Sequence, residues 1–144
     1  MITLGFTGTR EGMTLRQLAA ADRALRDTPI GRILHGGCRG ADAEIDHCAA
    51  LLGIPRHCYP GPHGMAELDR SGDLKILDAR DYHARNRVIV QRSSLLLVAP
   101  KQSTYPAPRL RKAGGTWWTA RYAASTGRRA VIVWPDGQIE VSTL

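Results

Sequence analysis

The chain has 144 residues, about one domain's worth, and at that size roughly two-thirds of the unfolded surface is buried without help from a disulfide or a metal. Apolar residues at 43% and charged residues at 23% describe an ordinary globular chain. With no run of about 18 apolar residues and no basic n-region ahead of Arg10, neither a membrane span nor a signal peptide is expected, and a single cytoplasmic domain is.

The 20 basic and 13 acidic residues sum to +7, and seventeen of the basic residues are Arg, whose fork suits phosphates and carboxylates. Two readings follow: a diffuse nucleic-acid surface, or a few arginines focused on one small anion.

Ile2 to Thr7 is a β-prone run ended by Gly8-Thr9-Arg10-Glu11-Gly12. Thr14 is an N-cap with Gln17 at the capping-box position, and Leu15, Leu18, Ala21 and Leu25 form the apolar stripe of a helix that Thr28-Pro29 stops. Arg32 to His35 is a second strand, broken by Gly36-Gly37-Cys38-Arg39-Gly40. A helix over Ala41 to Leu52 follows, with Ile45, Cys48, Ala49 and Leu52 on one stripe and Gly53 as its stop. Ile54 to Tyr59 is a third strand.

Pro60 to Arg80 is irregular and longer than a normal connection. Tyr82 to Arg92 is helical, Ser94 to Ala99 is the most apolar strand, and Lys101 to Ala113 is a second long loop. Gly114-Gly115-Thr116 opens a helix that Gly127 ends. Ala130 to Trp134 and Gln138 to Ser142 are strands joined by the hairpin turn Asp136-Gly137. The alternation predicts an α/β fold: an open parallel sheet with helices on both faces and a C-terminal antiparallel edge hairpin.

Right-handed crossovers put every strand-to-helix turn on one edge of that sheet, where open α/β proteins bind ligands. Three of these turns are glycine-rich, and each precedes a helix whose N-terminal N–H groups favour anions. With Arg10 and Arg39 they describe a phosphate-binding crevice. None is a P-loop or a GxGxxG fingerprint, so no ATP or nicotinamide chemistry, and no cofactor, is expected. Cys38, Cys48 and Cys58 are an odd set without a CxxC pair, which argues against a disulfide framework and a metal site. Asp81 to Arg87 is a dense polar run at a helix start, and Arg85, Asn86 and Arg87 cannot all face the core.

Gly5-Phe6-Thr7-Gly8-Thr9-Arg10, His35-Gly36-Gly37-Cys38-Arg39-Gly40-Ala41-Asp42, Arg85-Asn86-Arg87 before a buried strand, and Gly114-Gly115-Thr116 together resemble the SLOG superfamily of Rossmann-like nucleotide-binding proteins. The kinship is with its small YspA-like branch, and more distantly with Lonely Guy phosphoribohydrolases and the DNA-processing protein A domain. The resemblance spans essentially the whole chain. It implies a nucleotide site in which Thr7, Gly8, Thr9 and Arg10 line the floor and Gly36, Gly37, Arg39, Gly40 and Asp42 flank ribose or phosphate. Arg85 and Asn86 match the arginine-bearing helix start, and Gly114, Gly115 and Thr116 the phosphate-gripping loop. Where the Lonely Guy enzymes have a Glu that assists N-glycosidic cleavage, this chain has Thr119, and a hydroxyl is a poor substitute for a carboxylate.

Asp42 is then the best-placed acid for catalysis, ahead of Asp81 and Glu11, with an N-terminal helix cap as its other reading. Of Trp117 and Trp118, about 100° apart on a helix, one belongs in the core and the other on a base or in a subunit interface. His35 ends a strand beside the glycine loop, within reach of a ligand; His63 and His83 lie in the irregular stretch and at a helix start.

The expected function is binding of a nucleotide or nucleotide-derived phosphorylated ligand, as a sensor or sequestering module. A nucleoside 5′-monophosphate N-glycosidase is the alternative. A homodimer or higher homo-oligomer is expected, and no membrane partner. Interleaved aromatic-basic strands and a recognition helix are absent, which sets nucleic acid aside.

Overall fold

A computed structural model describes residues 1–107 and 114–144 of the chain. The elements are β1 (Ile2–Gly8), α1 (Leu15–Asp27), β2 (Ile30–His35), α2 (Ala41–Leu51), β3 (Arg56–Cys58), β4 (Leu74–Ile76), α3 (Tyr82–Gln91), β5 (Leu95–Ala99), α4 (Gly115–Ser125), β6 (Arg129–Val133) and β7 (Ile139–Val141). The seven strands form one sheet in the order β4-β3-β2-β1-β5-β6-β7, parallel throughout except for the β6-β7 hairpin.

The two helical layers follow from the period-2 pattern of the central strands. Along β5, Leu97 and Ala99 join the core built with Ala21 and Leu25 of α1 and Ala41, Ile45 and Ala49 of α2. Leu96 and Val98 join the opposite core, built with Val90 of α3 and Trp117, Ala120 and Ala123 of α4. A strand covered on both faces has no polar positions, which is why 95–99 reads as a continuous apolar run.

Three expectations are corrected. The stretch from Pro60 to Arg80 contains β4, which extends the sheet beside β3 with Arg56, His57 and Cys58 paired to Leu74, Lys75 and Ile76. Its three residues, Leu74, Lys75 and Ile76, alternate apolar and charged, but the run is too short among its charged neighbours to read as a strand. Leu15 does not belong to the buried stripe of α1: it is 86% exposed, while Gln17 is buried. Gln17 closes the capping box with Thr14 and also donates from Nε2 to the carbonyls of Pro100 at 2.9 Å and Val133 at 2.8 Å. That pair of bonds allows an amide at a core position. The third strand is shorter than the span 54–59. Of the long loop expected over 101–113, residues 108–113 lie outside the described part.

Among the described residues no helix is long and apolar enough to cross a membrane. Trp117, with no exposed surface, packs against Trp134 with ring centroids 5.9 Å apart and donates from Nε1 to Gln102 Oε1 at 2.9 Å. Trp117→Ala is expected to destabilise the fold by about 3–5 kcal/mol, read as a lower urea midpoint at unchanged slope.

Candidate functional site

β1 is followed in space by β2 on one side and β5 on the other, so the sheet reverses its winding at the β1/β5 boundary. Chain turns leave such a point in opposite directions and open a crevice beyond the strand ends. A cavity of about 260 Å³ lies there. Its walls come from the end of β1 (Thr7, Gly8, Thr9, Arg10), the β2 turn (Gly36, Cys38), α2 (Asp42), the start of α3 (Arg85, Asn86), the residues after β5 (Lys101, Gln102) and the start of α4 (Gly114, Gly115, Thr116, Thr119).

Eleven of the fourteen site residues expected from sequence therefore meet in one cavity. Gly37 and Arg39 line an adjoining cavity instead. Gly40 lines neither. It has φ +81°, and a Cβ there would lie 2.5 Å from the Arg10 carbonyl oxygen, so Gly40 is required by the backbone crossing rather than by a ligand.

The expectation of three helix ends converging on the ligand reduces to one. The N-terminus of α1 is closed by its own capping box. At α2 the Ala41 N–H donates to the Thr9 carbonyl at 2.9 Å, and Asp42 and Glu44 occupy the first turn. Among the described residues, α4 alone begins with no side-chain cap and no acidic residue in its first turn, and its first residues line the cavity. An open helix N-terminus carries roughly half a positive charge on unpaired N–H groups.

Arg85 faces that end from α3. It is 4% exposed, and its guanidinium is held by oxygen atoms that carry no full charge. Nη1 donates to the carbonyls of Gly36 at 2.9 Å and Tyr59 at 3.2 Å, and Nε donates to Asn86 Oδ1 at 2.6 Å. Among the described residues no carboxylate comes within ion-pair distance of it. Because Asn86 spends its oxygen on Arg85, its Nδ2 is left as a donor, 3.9 Å from the Cβ position of Gly115. A Cβ on Gly36 would meet Arg85 Nη1 at 2.3 Å, so this glycine makes room for the guanidinium.

Asp42 is buried, and its Oδ2 accepts from the N–H groups of Gly36 and Cys38, both at 3.2 Å. Burial pushes its carboxyl above the usual carboxylate range, against the opposing pull of the Cys38 and Gly36 N–H groups and Arg85. Asp42 thus ties the glycine turn to α2. Thr119, also buried, donates its hydroxyl to the Gly115 carbonyl at 2.7 Å. Across the mouth, Lys101 pairs with Glu11 at 2.9 Å, both exposed.

Behind the turn lies a network that sequence reasoning missed. The Gly37 N–H donates to His35 Nδ1 at 3.0 Å, so Nε2 carries the ring proton and donates to Asp46 Oδ1 at 2.8 Å. Asp46 Oδ2 accepts from Arg56 Nη1 at 2.6 Å, and Arg56 reaches on to the carbonyls of Asp69 and Ser71. All three side chains are essentially inaccessible, so His35 positions the turn from behind and does not face the cavity. Asp42 and Asp46 stand one helical turn apart on the same face of α2, and that spacing was the available signal. Lys101 and Gln102 were also missed as site residues, although their place directly after β5 is the edge where ligands bind.

Trp118 stays outside the cavity. It stacks on His83 with centroids 4.3 Å apart and planes 3° from parallel, and on Tyr122 at 5.6 Å and 7°. Cys38 lines the cavity as a thiol: burial and Asp42 raise its pKa, and the nearby Arg85 and Arg10 only offset this. Burial pushes Cys58 up to about 12. Among the described residues no three His, Cys, Asp or Glu side chains are grouped to hold a metal ion.

No protein-family model matches the chain, and no curated protein does. Solved structures match it. One is the X-ray structure of TM1055, a Northeast Structural Genomics Consortium target, with a TM-score of 0.61 and 12% identity, covering 90% of this chain and 72% of that one. The fold is Rossmann-like α/β. At that identity the likeness carries the architecture alone.

Two outcomes are expected. Asp46→Ala strands the buried Arg56 charge and should destabilise the protein by about 3–5 kcal/mol in a urea titration. Cys58 has a folded pKa above its ordinary 9.0, so the unfolded chain loses that proton first as pH rises. Stability should therefore fall as pH rises above about 9, and Cys58→Ala should flatten that slope.

Proposed function

We propose that the crevice binds the phosphate of a nucleotide or nucleotide-derived ligand, and that binding rather than bond cleavage is its task. The observation that carries this reading is the pairing of the uncapped α4 N-terminus with Arg85 and Asn86 across the crevice. Open N–H groups, an amide donor and a guanidinium without a carboxylate partner all favour an anion. The hydroxyls of Thr7, Thr9 and Thr116 add further donors along the same walls. A cavity of about 260 Å³ is just under the roughly 300–1,000 Å³ of small-molecule sites, which suits a mononucleotide-sized ligand better than a dinucleotide.

Against glycosidic cleavage stands the shortage of free carboxylates. Asp42 is the one acidic residue among the described lining residues, and its Oδ2 holds two backbone N–H groups. Thr119 occupies the place of the glutamate in the enzymes the motifs resemble, with its hydroxyl engaged by the backbone. This reading sets the chain with the binding members of the SLOG group that its four motifs resemble.

Gly115→Glu tests the site without threatening the fold. Its φ is not in the left-handed region, and a carboxylate in the first turn of α4 favours the helix by about 0.3–1 kcal/mol. The variant is expected to melt no lower than the wild type alone and to lose the thermal stabilisation that a nucleoside monophosphate gives the wild type, about 2.7 kcal/mol at a hundredfold excess over Kd. Stabilisation retained in Gly115→Glu would sink the proposal. Incubation with nucleoside monophosphates at high protein concentration should release no free base on chromatography; release would return the enzyme reading.

A further inference from the structure

The crevice continues into a second lobe. Arg10 and Cys38 line both the main cavity and an adjoining one of about 310 Å³, whose other walls include Arg39, Tyr82, Gly61 and His63. We propose that this lobe receives a second phosphoryl group, so that the ligand carries two: one at the α4 N-terminus and one between Arg10 and Arg39. This inference rests on the reading of the main cavity as a phosphate site.

Charge is the first argument. Arg10 and Arg39 are exposed cations, neither within ion-pair distance of a carboxylate among the described residues. No acidic residue is among the described residues of this lobe. Solvent-facing guanidiniums converging on one concavity match a dianionic group by forked hydrogen bonds.

The second argument is what else the lobe offers. The Gly37 N–H is spent on His35 and the Cys38 N–H on Asp42, so these backbone groups do not read polar edges of a ligand. Tyr82 is the larger of the two aromatic rings among the described residues of the lobe, the other being His63, but it is already packed on several sides. The guanidinium carbons of Arg10 and Arg85 lie 5.2 and 5.4 Å from its centroid, and the His63 ring lies 6.1 Å away. A Cβ on Gly61 would come within 2.5 Å of the Tyr82 ring, so that glycine packs directly on it as well. The cation–π contacts hold Arg10 at the junction of the two lobes, where one ligand touching both would meet it.

The test is isothermal titration at fixed ionic strength with adenosine 5′-monophosphate, adenosine diphosphate and adenosine 3′,5′-bisphosphate. The last two distinguish adjacent phosphoryl groups from groups separated by the ribose. At least one of them is expected to bind about tenfold tighter than the monophosphate, the gain of one added charge-assisted contact. Arg39→Ala should bring that preference down to about one, and Arg39→Gln, which keeps the stem and removes the charge, should do the same. No preference in the wild type, or a preference that survives both variants, overturns the second lobe while leaving the main cavity's reading intact. If none of the three ligands binds the wild type, the reading of the main cavity falls, and this inference falls with it.

Discussion

Arg85 is a buried guanidinium compensated by carbonyl and amide oxygens instead of a carboxylate, and the site takes its shape from that arrangement. A buried cation paired to a carboxylate is electrically spent; one held by dipoles keeps its net charge and exerts it on the cavity. The same bonds connect three parts of the molecule. Arg85 starts on α3, reaches the β2 turn through Gly36 and the end of β3 through Tyr59, and fixes the amide of Asn86 toward α4. Gly36 is needed for this geometry because a methyl group would occupy the space of the guanidinium.

Charges elsewhere in the core serve the scaffold. Asp46 lies between His35 and Arg56 and has its oxygens bonded to both, and Arg56 carries the connection on to the backbone at Asp69 and Ser71. One chain of contacts therefore runs from the irregular stretch after β3, through α2, to the Gly37 N–H at the edge of the crevice. A loop anchored at both ends through buried, hydrogen-bonded groups is a preorganised wall, which limits the ordering entropy lost when a ligand binds. Asp42 performs a similar task for Gly36 and Cys38. Asp42 and Asp46 of α2 thus face inward to hold the turn, while Arg85 keeps its charge for an anion in the crevice.

Several features were legible in the residues because local physics sets them. The apolar run at 95–99 announced a strand covered on both faces, Thr14 and Gln17 announced a capping box, and the glycine-rich turns marked the ends of β1 and β2 and the start of α4. Other features depend on what the chain meets after folding. Gln17 resembles a surface residue until the carbonyls of Pro100 and Val133, far away in sequence, accept from it. β4 is a strand because β3 offers it a free edge, and the alternation of Leu74, Lys75 and Ile76 is too short to announce it alone. Nothing in the sequence pairs Arg56 with Asp46, and their contact in the interior shows them to be structural.

By itself the sequence determined the alternating α/β order, the helix caps and the set of turns on which a ligand site is built, since each follows from spacing and backbone preference within a few residues. The tertiary structure decided how those turns are used. It closed α1 with a cap and α2 with the Thr9 carbonyl, gave α4 no cap among the described residues, and turned His35 inward while Lys101 came to the rim. The reason is that hydrogen-bond partners and burial are properties of the assembled sheet: a helix end or an arginine favours an anion only when no group of the protein has already satisfied it, and sequence spacing does not record that.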